Sequence, residues 1–293
     1  MADTGAKTSP TKIILLTLLA MLAFAANSVL ARLALGSGGM DAAGYTGIRL
    51  AAGAIALTAI LLASKRRTAK LTGSWSGAAA LFGYAIAFSL AYLLLGAGTG
   101  ALILFGSVQL GMLGWGILKG DRPGALEWLG LAIAFAALAY LVSPGLVAPH
   151  PIGAGLMIVA GLCWAAYSLL GGGSTSPLSD TTGNFVRCLP LALVLAVAGL
   201  ATHPATAPGI AYAIASGALA SGVGYAIWYA ALPHLTRTRA AIVQLSVPAL
   251  AAFGGVIFIG EAVTPRLVIA SIAILGGVAL AIIAAERRKA SAR

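Results

Sequence analysis

Charge is scarce in this chain: 9% of its 293 residues are Asp, Glu, Lys or Arg, and only seven of those are acidic. A soluble domain carries about a quarter charged residues, so an ordinary globular protein is excluded. Cysteine and histidine are scarcer still, at two and three residues. Cys163 and Cys188 lie in or near apolar runs, and His150, His203 and His234 are scattered among the connections, which leaves neither a disulfide framework nor a metal-ligand spacing. The GxSxG, HExxH and phosphate-cradling Gly-Lys-Ser signatures are missing too, and with them the local chemistry they supply. The sequence therefore reads as not an enzyme, implies no cofactor and holds no site for nucleotide hydrolysis.

Apolar residues fill the space instead. They make up 60% of the chain, and the mean hydropathy is +1.00. A helix needs ~20 mostly apolar residues to cross a bilayer, and ten such spans are expected, at 13–35, 44–63, 74–95, 98–118, 126–147, 152–170, 185–202, 210–232, 240–259 and 266–285. Continuous Ala-, Leu- and Gly-rich runs lack the period of two that barrel strands show. The expected fold is an all-α membrane protein, with the lipid bilayer as its first partner. Lys7 and Lys12 ahead of the first run resemble the start of a signal peptide. That run stays apolar to Leu35, however, and part of it recurs later in the chain, so the segment is expected to be retained.

The recurrence is general. Residues 24–30 (FAANSVL) match 164–170 (WAAYSLL) at an offset of 140, and Ala101, Leu110, Gly114, Ile117 and Gly120 fall on Ala241, Leu250, Gly254, Ile257 and Gly260 at the same offset. Gly83-Tyr84-Ala85-Ile86 returns as Gly224-Tyr225-Ala226-Ile227 at 141, which implies a residue inserted or lost between the blocks. Two units follow, 13–147 and 152–285, each with five spans. Lys7, Lys12, Lys65, Arg66, Arg67, Lys70, Lys119, Arg122, Arg237, Arg239, Arg287, Arg288, Lys289 and Arg293 share one side if both termini are cytoplasmic, with only Arg32 and Arg266 near the other. This places a multi-pass protein in an inner (plasma) membrane of bacterial type, and it explains the net charge of +11 without nucleic acid. An odd number of spans per unit turns the second upside down. Inverted repeats of this kind build transporters that bind cargo near the midplane and expose it to each side in turn.

Ten spans in two halves resemble the drug/metabolite transporter superfamily of EamA type. Each half has a Gly-acid pair before its last span, Gly120-Asp121 and Gly260-Glu261, and then an Ala/Gly-rich helix. The resemblance covers nearly the whole chain, from about Ile13 to Ala285, and the mid-span aromatics Tyr84 and Phe88, Trp164 and Tyr167, and Tyr225, Trp228 and Tyr229 are similar to those of YddG-type amino acid exporters. The resemblance implies export of small metabolites, aromatic and other large neutral amino acids among them.

Residues spaced i, i+3 and i+4 share a helix face, so mid-span polar and aromatic side chains define candidate substrate contacts. These are Phe24, Asn27 and Ser28 on span 1, Tyr84 and Phe88 on span 3, Trp164, Tyr167 and Ser168 on span 6, Tyr225, Trp228 and Tyr229 on span 8, and Gln244 with Pro248 on span 9. Trp and Tyr otherwise favour the bilayer interfaces, so a midplane cluster points to an aromatic-lined cavity; ordinary packing is the competing explanation. Pro248 frees a carbonyl near Gln244, which either kinks span 9 or presents polar backbone to a cavity. Gln244 is the preferred amide contact over Gln109. No Asp or Glu falls in the central third of any span. Proton-coupled exporters of cationic drugs need such a carboxylate, so a neutral or zwitterionic small molecule is expected as cargo. Arg49 and Arg187 pair across the repeat, and each either attracts a substrate carboxylate at a mouth of the cavity or reaches the headgroups or an acid such as Asp41 or Asp180. Gly171-Gly172-Gly173 opens a long loop to about Asn184, either a gate or a plain connector. The copies differ at Asn27 against Tyr167, Leu104 against Gln244 and Val108 against Pro248, where an asymmetric cargo would need them to differ.

Overall fold

Proline, serine and acidic residues at the ends of the apolar runs set where the helices begin. In the computed structural model, which describes residues 9–36, 38–64, 71–120, 122–142, 148–172, 174–235, 240 and 243–291, ten helices are laid out in order. They are α1 (Pro10–Leu35), α2 (Ala42–Ala63), α3 (Trp75–Tyr92), α4 (Ala97–Leu118), α5 (Ala125–Val142), α6 (Pro151–Leu170), α7 (Pro177–Thr202), α8 (Ala207–His234), α9 (Val247–Ile259) and α10 (Pro265–Ser291). Eight are long and apolar enough to cross a membrane, while α5 and α9 are shorter. Lys7, Lys65, Arg66, Arg67, Lys70, Asp121, Gly173, Arg237, Arg239, Ala241 and Arg293, all used above, lie outside the described residues. Pro10, Pro151 and Pro177 open their helices at the position where a missing N–H costs nothing. Asp41 caps α2 by accepting from Gly44 N at 2.9 Å, and Ser74 caps α3 by accepting from Gly77 N at 2.9 Å.

The principal contacts run between the halves. α2 packs on α7, α4 on α9 and α5 on α10, while α3 lies against α6 as α8 lies against α1, and α4 meets α6 as α9 meets α1. Exchanging α1–α5 for α6–α10 leaves this pattern unchanged, as expected of two inverted five-helix repeats. The interior is small and the exterior large, the reverse of a soluble domain. At Gly47 an added Cβ would lie 2.3 Å from Ala192 O, and at Gly217 it would lie 2.1 Å from Arg49 O, so α2 meets α7 and α8 backbone to backbone. Leu18, Ile55, Phe135, Val197, Phe258 and Ile272 stand exposed on the outside, where acyl chains would cover them. Arg288 pairs with Glu127 at 2.6 Å at the end that carries the termini, and Arg32 pairs with Glu261 at 3.4 Å at the far end.

Three spans depart from the hydropathy pattern. α7 starts at Pro177 rather than 185, because Ser179, Thr181, Thr182 and Asn184 are buried helical residues. Their polarity reads as loop, yet its bonding is internal: Asn184 Oδ1 accepts from Ser74 N at 2.8 Å, and the neighbouring Asp180 accepts from Gly73 N at 2.9 Å. The loop expected to run to Asn184 therefore ends at Ser176. In α8 a π-helical stretch, Ser216–Val223, interrupts the α-helix, directly before the block whose offset is 141. The ninth span is broken rather than kinked. Val243 and Gln244 are helical, Leu245 and Ser246 turn, and α9 restarts with Pro248 in its first turn, where no N–H is available for Gln244 O.

Candidate functional site

The middle of α1 turns Phe24, Asn27 and Ser28 to one side, into a cavity between the halves. Tyr84 and Phe88 from α3, Leu104, Phe105 and Val108 from α4, Trp164 from α6, Ala220, Ser221 and Tyr225 from α8, and Gln244 ahead of α9 complete the lining. The rings form a continuous wall. Trp164 sits between the symmetry-related tyrosines, 4.8 Å from Tyr84 and 5.5 Å from Tyr225, while Phe24 meets Tyr225 at 5.7 Å and Phe88 meets Tyr84 at 5.3 Å. Tilted and edge-on pairs of this kind add ~0.5–1.5 kcal/mol each beyond burial. The space between them is narrow. It leaves about 30 Å³ for the centres of water-sized molecules, where one water needs roughly 10–15 Å³, so this conformation admits about two waters and is occluded to larger cargo.

A chain of hydrogen bonds runs behind the rings. Tyr45 Oη donates to Ser216 Oγ at 2.7 Å, Ser216 Oγ donates to Asn27 Oδ1 at 2.6 Å, and Asn27 Nδ2 donates to Tyr84 Oη at 3.2 Å. Ser216 belongs to the π stretch, which the close approach of Gly217 to α2 holds in place. Arg49 closes the chain by donating from Nη2 to the same Tyr84 oxygen at 3.0 Å. Its guanidinium lies 4.7 Å from the Phe88 ring centre and 5.2 Å from that of Tyr84. Only 2% of Arg49 is exposed, so it neither reaches headgroups nor pairs with Asp41, whose carboxylate caps α2 instead. Its repeat mate Arg187 is partly exposed, donates to Thr72 O at 2.7 Å and stacks on Trp75. Arg49 Nη1 and the hydroxyls of Ser107 and Ser221 are buried without a partner.

Of the side chains expected at the site, eight line the cavity: Phe24, Asn27, Ser28, Tyr84, Phe88, Trp164, Tyr225 and Gln244. Five lie beside it. Tyr167 stacks on Trp164 and donates to Thr181 Oγ1, Tyr229 shares a hydrogen bond with the same threonine, and Trp228 packs on Phe24. Ser168 bonds back to Trp164 O, and Pro248 is buried in the first turn of α9. Gln109 is buried in α4 outside the lining. Ser221, on the lining, and Ser216, behind it, were not singled out from the sequence, and Arg49 was weighed only for a mouth of the cavity; it lies behind the Tyr84 and Phe88 rings rather than on the lining. A serine in a Ser-Gly-Ala-Leu-Ala-Ser-Gly run reads as helix packing, and only the unusual concentration of small polar residues there signals anything more.

A model of the EamA-like transporter family matches residues 151–283. An uncharacterized protein of Pseudomonas aeruginosa is 50% identical over 267 residues, covering 91% of this chain and 93% of its own length. The threonine/homoserine exporter RhtA of Escherichia coli is 33% identical over 164 residues, an alignment that spans 53% of each protein. A protein of known crystal structure superposes with a TM-score of 0.65 at 22% identity, over 95% of this chain and all of that one, and shares the fold.

Proposed function

Because the chain belongs to the EamA-like transporter family, within the drug/metabolite transporter superfamily, we propose that it exports small amino-acid-like metabolites across a bacterial inner membrane. The observation that carries this reading is the occluded cavity, which lies near the middle of its helices and is walled by side chains of both halves. Halves related by a pseudo-twofold axis exchange conformations, and a site on their interface then opens to each side in turn. The moving units are 13–147 and 152–285, with both termini cytoplasmic. No carboxylate is among the described residues that line the cavity, which suits a neutral or zwitterionic cargo and a transport cycle without a buried acid.

Aromatic and other large neutral amino acids fit the ring wall best. Phe24, Tyr84, Phe88, Trp164 and Tyr225 take the apolar part of the cargo, and Tyr167, Trp228 and Tyr229 extend that wall when the halves part. Asn27, Ser28, Ser168 and Gln244 hydrogen-bond its polar groups, while the break before Pro248 lets Gln244 turn toward it. A second reading, small hydroxyl-bearing amino acids, is favoured by the similarity to a threonine/homoserine exporter and by the hydroxyl and amide groups on the wall.

The test is purified protein in liposomes loaded with labelled phenylalanine, leucine or threonine. Flux above that of empty vesicles is expected for at least one, and Trp164→Ala or Gln244→Ala should lower it while the protein stays folded. No excess flux for any of the three overturns the reading. Flux that follows a proton gradient and extends to cationic drugs would favour a multidrug exporter instead.

A further inference from the structure

We infer that the cavity is a carboxylate receptor, with the Arg49 guanidinium and the Tyr84 hydroxyl as its anion-binding donors. The inference rests on the cavity being the cargo site and adds which chemical group the cargo must carry. Arg49 is two turns into α2 and 2% exposed, and it has no ion-pair partner among the described residues. An unneutralised buried cation is among the costliest features a fold can keep. Intramembrane charges that are merely structural pair with an acid or reach for the headgroups, and this one does neither.

The hydrogen-bond directions say what is missing. Tyr45 donates to Ser216, Ser216 to Asn27, and Asn27 to Tyr84, whose oxygen also accepts from Arg49. Both lone pairs of that oxygen are thereby used, so Tyr84 has only its proton left to offer, and no described group accepts it. Tyr84 lines the cavity, as does Ser221, whose hydroxyl has no partner, and Arg49 Nη1 has none either. Arg49 is not on the lining itself but donates to Tyr84, which is, so the wall carries a surplus of donors with one uncompensated positive charge directly behind it. A carboxylate supplies what it lacks: one negative charge, two oxygens, about four lone pairs and no proton. A phosphate ester would bring nearly two negative charges to a single guanidinium, and a cationic amine without a carboxylate would meet like charge. The faces of Phe88 and Tyr84 lie against the guanidinium and offset part of its charge.

Binding to the purified full-length protein tests this, read by quenching of tryptophan fluorescence, since Trp164 is on the wall. The probes are L-phenylalanine, L-leucine and L-threonine, each against its own amide, together with 3-phenylpropionate, which keeps the carboxylate and loses the amine. A hydrogen bond to a charged group implies that at least one acid binds about tenfold or more tightly than its amide, and that 3-phenylpropionate also binds. Arg49→Gln should bring the acid-to-amide ratio close to one, and the empty variant should melt no lower than the parent because an unpaired buried charge has been removed. Tyr84→Phe keeps the ring and should reduce the ratio partway, so it carries the test if Arg49→Gln does not fold. Equal binding of acids and amides, no binding of any acid probe, or a preference that survives Arg49→Gln overturns the inference. Liposome flux separates this outcome from the transport reading. Flux that is indifferent to the carboxylate sinks the receptor alone, whereas selective binding without flux sinks transport alone.

Discussion

Neutralising Glu261 should open the far end of the molecule. Its carboxylate belongs to the second half but accepts from Ala97 N at 2.8 and 3.0 Å, at the start of α4 in the first half, and it pairs with Arg32 of α1 at 3.4 Å. Closing that end therefore means seating one acid on two first-half helices. A negative charge at a helix N-terminus is worth ~0.3–1 kcal/mol, up to ~2 when partly buried. The ion pair adds only ~0.2–1 kcal/mol, since the two side chains are 25% and 21% exposed. Glu261→Gln keeps the shape and one hydrogen bond, so about 1–2 kcal/mol of closure is lost, a shift of roughly 5–30-fold toward the open form. A cysteine at Leu104, on the cavity wall, reports this in protein whose Cys163 and Cys188 have been replaced. A membrane-impermeant maleimide applied from the side opposite the termini should label Leu104→Cys roughly 5–30 times faster in the Glu261→Gln background. Equal or slower labelling would refute the argument. Arg32→Gln should have a smaller effect, because the cap on α4 survives.

Three further outcomes follow from the same geometry. Gly217→Ala puts a methyl 2.1 Å from Arg49 O, and the backbone shift it forces should cost ~1–3 kcal/mol, read as a lowered melting temperature. Asn27→Ala strands Ser216 and removes a donor from Tyr84; each buried group left unpaired costs ~1–3 kcal/mol, so thermal stability should fall and cargo binding weaken together. Pro248→Ala restores an N–H to Gln244 O and should heal the break before α9, leaving the melting temperature unchanged or higher while liposome flux drops. Unchanged flux would make the break structural only.

The shape of the fold was legible because lipid reads sequence crudely. Long apolar runs and a self-match at 140 residues were enough for ten spans in two halves, and the i, i+3, i+4 spacing put Phe24, Asn27 and Ser28 on the correct face. Polarity misled wherever it was spent inside. Asn184 and Thr182 look like loop because hydropathy scores a side chain against water, whereas Asn184 accepts from Ser74 N across the bundle and Thr182 bonds back to Leu178 O in its own helix. Arg49 was visible as a charge, but depth alone placed it at a mouth of the cavity, because nothing in a single sequence says that Tyr84, 35 positions away, would hold it. Tyr229 shares the rows of Tyr225 on a helical wheel, yet it turns to Thr181, a residue that the hydropathy pattern assigned to a loop.

The narrow cavity also bears on the membrane around it. A bilayer that stores energy as an ion gradient tolerates no standing thread of water, and room for about two molecules interrupts any proton wire. The Arg49 guanidinium behind the Tyr84 and Phe88 rings adds a positive charge of the kind that lets water channels refuse protons and cations. A carboxylate bound there, as inferred above, would cancel the charge on Arg49 and leave only the cargo's own amine for the membrane field to act on.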